Sequence, residues 1–297
     1  LSTRVFTLLD QLSIPPTQED MVGAVLVEAS SDKSTPSDLA SQRKAFATAW
    51  LSFLQLPLSQ AVYRQVLVAL PDEVMPNMPN PLLLSDFLTN SFTSGGVIAL
   101  LALDGLWILM QSHNLDYAKF YTHLYALLTP ATMHAKHRGK FLKKLDLFMS
   151  SASLAAYIVA AFAKRMARLA LVSPPSVAMF AVPFVYNLAK RHPAVSRLLH
   201  RGARKLHRDP FVADVDDPAV CHALESSLWE VTALQSHYHA PVASLAKVFA
   251  TKWENPHMDV KPFVSLSYGA MFNTEVQRGA KAIVPTAFQR PPSFMLG

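Results

Sequence analysis

The sequence predicts an all-α protein, and three observations support this fold class. Proline outnumbers glycine, 21 to 9 among 297 residues, although β-hairpins depend on glycine in their turns. The prolines separate apolar segments of helical length, as expected for residues that begin helices or follow their ends. Apolar residues also recur at helical spacing, so strands are not expected.

The predicted elements follow one another along the chain. Residues 1–37 are weakly patterned and are predicted to be a lead-in or linker, and residues 38–297 are predicted to form one helical-repeat domain. Short connections between many helices indicate an α-solenoid of degenerate HEAT- or armadillo-like repeats, with a compact helical bundle as the alternative. The predicted helices are 38–55, 59–70, 82–92, 96–112, 116–128, 132–149, 153–172, 176–191, 218–236, 241–253 and 260–273.

Local signals support several helix boundaries. Asp217 followed by Pro218 predicts a helix start, because a carboxylate caps the first turn and proline suits its first position. Asp116 is predicted to cap the helix that follows Asn114. Pro183 lies inside an apolar run, where it is expected to kink or split the helix.

Two predicted helices carry candidate functional residues outside their core faces. The helix at 153–172 has a broad apolar face, with Lys164 and Arg168 predicted on the opposite face and Arg165 at its edge. The helix at 218–236 has a predicted core stripe, and Trp229 lies well off it. That predicted stripe consists of Val220, Leu224, Leu228, Val231 and Leu234.

Two strongly apolar runs raise the question of a membrane span. They are Gly95–Met110 and Leu154–Ala163, and the mean hydropathy of the chain is +0.21. A membrane-spanning helix needs about 20 apolar residues with few or no charges. Both runs are shorter, so they are predicted to be buried core helices.

Basic residues form the most informative charge pattern. The formal net charge is +6, which favours an acidic partner such as nucleic acid or an acidic protein segment. An ordinary solvated surface is the alternative for each cluster. The candidate residues for binding a protein partner or nucleic acid are Lys140, Lys143, Lys144, Lys164, Arg165, Arg168, Arg201, Arg204, Lys205 and Trp229.

Motifs for catalysis, metal binding and cofactor binding are not found in the sequence. It lacks the phosphate-binding GxxxxGK[ST] loop, the GxSxG elbow, HExxH and CxxC. His237 and His239 resemble metal ligands, but a structural zinc site needs four. The single cysteine, Cys221, cannot form an internal disulfide and fits a reducing compartment. We therefore expect a non-enzymatic protein without a metal, a cofactor or a small-molecule substrate.

Ordered blocks between Val97 and Phe249 resemble a known family. They include VIALLALDGLWILMQSHNLDYAKFYTHLYALLTP, DPFVADVDDP and ALESSLWEVTALQSHYH. These blocks are similar to the CCAAT-binding-factor/nucleolar-complex domain, over a family region of about 97–250.

This resemblance implies a helical-repeat ribosome biogenesis factor located in the nucleolus. It further implies a scaffold in the small-subunit processome, which supports 18S rRNA maturation and 40S assembly, and a stable partnership with nucleolar protein 14. Direct, sequence-nonspecific binding of pre-rRNA and a role as an armadillo-type transport adaptor are the alternatives.

Overall fold

A computed structural model describes residues 2–10, 39–151, 153–200, 209–251 and 257–277. All regular secondary structure in these ranges is helical, which confirms the all-α class. Shorter 3₁₀ or π segments lie between several of the α-helices. The α-helices are α1 (Ser2–Asp10), α2 (Leu39–Leu54), α3 (Gln60–Ala69), α4 (Ser85–Thr93), α5 (Gly96–Ser112), α6 (Phe120–Ala126), α7 (Pro130–His134), α8 (Arg138–Phe148), α9 (Ala156–Val172), α10 (Pro175–Arg191), α11 (Pro193–Leu199), α12 (Trp229–Leu234), α13 (Ala240–Ala246), α14 (Lys261–Val264) and α15 (Tyr268–Gln277).

The two apolar runs form core helices, as predicted. They correspond to α5 and α9, which pack most extensively on α4 and α10 respectively. The α4–α5 contact is close because Gly105 has no side chain: a Cβ there would lie 3.1 Å from the Leu88 methyl groups. No helix in the described ranges combines the length and apolar character needed to cross a membrane.

Helix α10 lies at the centre of the second half of the fold. It contacts α9, α11, α13 and α14, and it is buried almost all round, as expected for a central core helix. The helix is continuous through Pro183, so of the two expected outcomes, a kink or a split, the split is excluded. Asn187 in α10 holds the segment before α14, because its side chain pairs with both the N–H and the carbonyl of Met258 at 2.8 Å.

The N-terminal lead-in contains a helix that the sequence analysis did not predict. Phe6 of α1 packs against Trp50 and Phe53 of α2, with ring centroids 6.3 and 6.4 Å apart. These contacts join α1 to the common apolar core. Residues 11–37 of the predicted lead-in or linker lie outside the described residues.

The predicted helix at 218–236 is the largest error in the secondary structure. Only Trp229–Leu234 is α-helical, with a 3₁₀ turn at Ala223–Glu225. The Asp217 carboxylate accepts a hydrogen bond from the Ala219 N–H at 2.9 Å and forms a turn, and His222 has a left-handed φ of 55°. The predicted core residues Val220 and Leu224 are consequently exposed.

Several further helices differ from their predicted bounds, and the predicted helix at 260–273 is divided into α14 and α15. Helix α6 begins at Phe120, and its N-cap is Lys119, so Asp116 is not its cap. The predicted helix at 132–149 is divided into α7 and α8, because Ala135 adopts an extended conformation with ψ of 147°. The break allows the first turn of α8 to approach the C-terminal segment, as described below.

Candidate interaction surfaces

Lys164 lies in the middle of α9, and its side chain is 0% exposed. Its Nζ is 2.7 Å from Glu230 Oε1 and 2.8 Å from Asp209 Oδ2, and it donates a hydrogen bond to the Ser227 carbonyl at 2.6 Å. A buried ammonium is tolerated only with such partners. The prediction that Lys164 lies on an exposed basic face is therefore wrong, because the segment 209–230 covers that face of α9.

Asp209 organises the covering segment. It accepts hydrogen bonds from the hydroxyl of Ser226, from the backbone N–H of Phe211 at 3.1 Å and from Nε1–H of Trp229 at 2.9 Å. Burial alone would raise the pKa of Asp209, but the hydrogen bonds from Lys164, Ser226 and Trp229 together hold it well below its ordinary value. Asp209 is thus the anionic centre of the cluster at neutral pH.

Glu230 is the second anion of the cluster, and its side chain is fully buried. Burial raises the pKa of Glu230 above its ordinary value, although the nearby Lys164 ammonium acts in the opposite direction. The single ammonium of Lys164 therefore faces two carboxyl groups. The pKa of Asp209 is lowered and that of Glu230 is raised. We call Lys164, Asp209, Glu230 and Trp229 the α9 cluster.

Trp229 closes the exposed edge of the α9 cluster. Its side chain is 44% exposed, which agrees with its predicted position off the core face. The indole also lies 5.4 Å from Lys164 Nζ, within cation–π range. Because its Nε1–H donates to Asp209, the indole links the two ends of the covering segment 209–230.

Arg165 joins α9 to two other segments. Its Nε donates to the Leu128 carbonyl at 2.8 Å, and its Nη1 donates to the Val215 carbonyl at 3.1 Å. Its Nη2 also pairs with Asp216 at 3.0 Å. The guanidinium thus donates to three acceptors at fixed positions. The planar fork of arginine allows this arrangement, and the single ammonium of lysine does not.

Arg168 is the partly exposed cation of the three on α9. Its Nε is 3.9 Å from Glu230 Oε1, and its guanidinium lies 5.5 Å from the ring centroid of Phe211. The side chain lines an open groove of about 470 Å³ with Leu169, Val172 and Phe211. Of the α9 residues predicted to bind a partner, Arg168 keeps the most exposed side chain.

The α8 lysines differ sharply from Lys164. Lys140 and Lys143 are exposed, share one face of the helix, and form no ion pair within the described part of the chain. Lys144 is half-buried, and its Nζ lies 3.1 Å from Asp104 of α5. Lys136, two residues before α8, is also exposed. The α8 lysines thus include a cationic face that is accessible to a partner, and its binding role stays a prediction.

The remaining candidates fall into two groups. Arg201, Arg204 and Lys205 lie outside the described residues. His237 accepts a hydrogen bond from the backbone N–H of His239 at 3.0 Å, so this pair forms a turn after α12. Within the described ranges, no three His, Cys, Asp or Glu side chains are grouped to hold a metal ion.

Sequence analysis missed the exposed apolar face of α15. Tyr268, Phe272 and Val276 are 58%, 67% and 61% exposed, and they recur at intervals of four residues. The spacing alone does not show that this face is exposed, because the same spacing occurs in helices whose apolar face packs against a neighbour. Asp209 was also missed, although it begins the DPFVADVDDP block on which the resemblance partly depends.

Comparisons with known proteins agree with the resemblance. Residues 99–246 match the CBF/Mak21 family, close to the expected region of about 97–250. This match includes the whole α9 cluster, whereas α15 lies beyond it.

Relatives match almost the whole chain. It is 41% identical over 288 residues to the Nucleolar complex protein 4 homolog of Gallus gallus, covering 96% of the chain and 56% of the relative. It is 42% identical over 298 residues to homolog B of Xenopus laevis, covering 99% and 56%. The Homo sapiens homolog is 41% identical over 295 residues, covering 98% and 57%. The chain thus spans somewhat more than half the length of these relatives.

Proposed function

The chain belongs to the CBF/Mak21 family, and on this basis we propose that it acts as a ribosome biogenesis factor in the nucleolus. The observation that carries the proposal is the identity of about 41% to proteins named nucleolar complex protein 4 homologs, over nearly the whole chain. The family match over residues 99–246 spans the residues of the α9 cluster.

In its finer form, the proposal is a non-enzymatic scaffold in the small-subunit processome. The scaffold supports 18S rRNA maturation and 40S assembly by binding nucleolar protein 14. Its helices are degenerate HEAT-like repeats, an architecture that offers extended surfaces for partner segments. The charge pattern supports a structural role, because Lys164, Asp209 and Glu230 satisfy one another instead of facing a substrate.

Depletion followed by rescue tests this proposal. Loss of the full-length protein should lower 18S rRNA and leave large-subunit rRNA as an unaffected internal control. Nucleolar protein 14 should also leave the nucleolus or lose its association with pre-ribosomes. Unchanged 18S rRNA together with normal placement of nucleolar protein 14 would exclude the proposed role, and exclusive association with transport receptors would favour the armadillo-type adaptor.

A second candidate is direct, sequence-nonspecific binding of rRNA. The observation that favours it is the exposed pair Lys140 and Lys143, which form no ion pair in the described ranges. Phosphate contacts release counterions, so the affinity for an rRNA fragment should fall steeply as salt is raised. Replacing both lysines by alanine should reduce this salt dependence, and absence of binding at low salt would eliminate the candidate.

A further inference from the structure

Helix α15 lacks the packing that stabilises the other long helices in the described part of the chain. It has ten residues, and none of them is buried. The Ser267 hydroxyl accepts a hydrogen bond from the Ala270 N–H at 3.1 Å, which satisfies one donor of the first turn. Isolated helices shorter than about 12–15 residues are marginal in water, and most protein helices depend on an apolar face packed against a neighbour. Within the described residues, no neighbour buries any side chain of α15.

The exposed side chains of α15 form an ordered face. Tyr268, Phe272 and Val276 follow one another at successive turns, and Met271 adds a partly exposed side chain beside Phe272. We call these four residues the α15 stripe. A row of large apolar residues at this spacing is the recognition surface that one helix offers to another. Exposed apolar side chains grouped on one face of a helix are typical of a surface that binds a partner.

Cationic residues lie near the start of α15. The Leu266 carbonyl, two residues before α15, accepts a hydrogen bond from Arg138 Nη2 at 3.0 Å. The start of α15 therefore lies beside the first turn of α8, which is flanked by Lys136 and Lys140 and followed by Lys143. Lys261, at the start of α14, is exposed as well.

Few acidic groups offset these lysines. Within the described residues 257–277, Asp259 and Glu275 are the carboxylates, and Asp259 accepts a hydrogen bond from the Lys261 backbone N–H at 2.9 Å. None of Lys136, Lys140, Lys143 and Lys261 forms an ion pair in the described part of the chain. The lysines give the stripe a positive border near its Tyr268 end, and such a surface favours an apolar partner with negative flanks at that end.

We propose that the α15 stripe and the lysines beside it are a docking surface for an acidic amphipathic helix of a partner protein. This inference rests on the proposed scaffold function, because it assigns one of the scaffold's partner surfaces. The bound helix places its apolar residues against Tyr268, Phe272 and Val276 and its carboxylates towards the α8 lysines. Docking also supplies the packing that α15 lacks.

Two other occupants fit less well. Single-stranded RNA could use the lysines and stack bases on Tyr268 and Phe272, but it would leave the aliphatic side chains of Met271 and Val276 without a partner. A second copy of this chain, paired through α15, would bring two lysine-rich borders together, which is electrostatically unfavourable. An acidic helix satisfies both the apolar and the charged parts of the surface.

The first test uses the purified chain and a designed peptide of about 21 residues, long enough to form a helix. The peptide carries leucines on one face and glutamates on the flanks, and a matched peptide carries lysines in place of the glutamates. Fluorescence anisotropy should detect binding of the acidic peptide and at least about ten-fold weaker binding of the basic one. Absence of binding, or equal binding of both peptides, overturns the proposal.

Variants locate the binding on the surface. Phe272→Ser should weaken binding of the acidic peptide about ten-fold or more, since it removes the central apolar contact. Asn273→Ser is the matched control, because Asn273 is also exposed but is not part of the stripe, and it should leave the affinity unchanged. Unchanged affinity in Phe272→Ser places the peptide elsewhere and overturns the proposal.

The second test identifies the natural occupant in the full-length protein. A photo-crosslinking amino acid replaces Phe272 in cells, and the cross-linked segment is sequenced by mass spectrometry. An acidic amphipathic segment of another protein supports the proposal, while RNA, a segment of this protein or a non-acidic segment overturns it. The 18S rRNA measurement after depletion does not depend on the α15 surface. A failure of the docking proposal can therefore be distinguished from a failure of the proposed scaffold function.

Discussion

Two lysines that both lie next to apolar residues in the sequence have opposite environments in this fold. Lys164 and Lys143 each lie in a helix beside apolar residues, yet Lys164 is fully buried and Lys143 is exposed. The difference comes from a distant segment, since Asp209 and Glu230 reach Lys164 and no carboxylate of the described ranges pairs with Lys143. A helical lysine is therefore structural or available according to the tertiary partner it meets.

The two regions should also respond differently to substitution. A buried ion pair adds little net stability compared with an apolar replacement of both partners, but removing one partner leaves a buried uncompensated charge. An exposed lysine without a partner has no such coupling, and its replacement should change binding more than folding. Stability measurements can therefore separate the α9 cluster from the α8 lysines.

The largest expected effect is that of Lys164→Met. This variant keeps the volume of the side chain but leaves Glu230 and Asp209 without their ammonium partner. We expect a loss of about 3–5 kcal/mol in the free energy of unfolding, measured by urea denaturation at pH 7. Lys143→Met is the matched control and should change stability by less than about 0.5 kcal/mol.

A double variant distinguishes the loss of charge pairing from a loss of packing. Lys164→Met with Glu230→Leu removes both buried charges, so it should recover a large part of the stability lost in the single variant. If the double variant were less stable than Lys164→Met alone, packing of the lysine stem would outweigh the ion pair.

The contrast between these lysines also separates the features that the local sequence predicts from those that depend on distant residues. Helices α5, α9 and α10 were predicted because long apolar periodicity and the prolines around them are local signals. The burial of Lys164 was not predictable from α9 itself, because it depends on Asp209 and Glu230, which lie 45 and 66 residues further along the chain.

The prediction of one helix at 218–236 was wrong for a related reason. Its apolar residues have helical spacing, but Asp217 forms a local turn and His222 adopts a left-handed conformation. Hydrogen bonds of Asp209 to Ser226 and Trp229 then hold the segment against α9. Non-local contacts outweigh helical propensity here, and periodicity does not report such contacts.

A smaller effect is expected for Arg165→Lys. The ammonium of lysine cannot reproduce the fork that donates to the carbonyls of Leu128 and Val215 and pairs with Asp216. We expect a loss of about 1–2 kcal/mol in the free energy of unfolding, from acceptors left without their donors. Retention of wild-type stability would show that one contact is sufficient to hold α9 to these segments.

Acid should weaken the α9 cluster through Asp209. Its pKa is lowered in the folded chain by hydrogen bonds from Lys164, Ser226 and Trp229, so its contribution is fully present above the ordinary carboxyl pKa of about 3.9. That contribution is lost as the pH falls from this value towards the folded pKa. Burial raises the pKa of Glu230 in the folded chain. Glu230 therefore takes up its proton at a higher pH in the folded chain than in the unfolded chain, which adds stability as the pH falls.

Asp209→Asn isolates this pH dependence. The variant should be less stable than wild type at pH 7, and the difference should shrink in urea titrations as the pH falls below about 4, because Asp209 of the unfolded chain is protonated there before Asp209 of the folded chain. Ser226→Ala is the control for loss of a single hydrogen bond to Asp209, and it keeps the carboxylate that titrates. An identical pH profile for Asp209→Asn and wild type would contradict the assigned role.

The smallest effect on folding is expected for the double variant Lys140→Glu, Lys143→Glu. Both side chains are exposed and make no ion pair in the described part of the chain, so the free energy of unfolding should change by about 0.5 kcal/mol or less. The same variant reverses the charge beside the α15 stripe and should weaken binding of the acidic peptide several-fold. A destabilisation comparable to that of Lys164→Met would mean that the α8 lysines are structural too, and the contrast between the two regions would disappear.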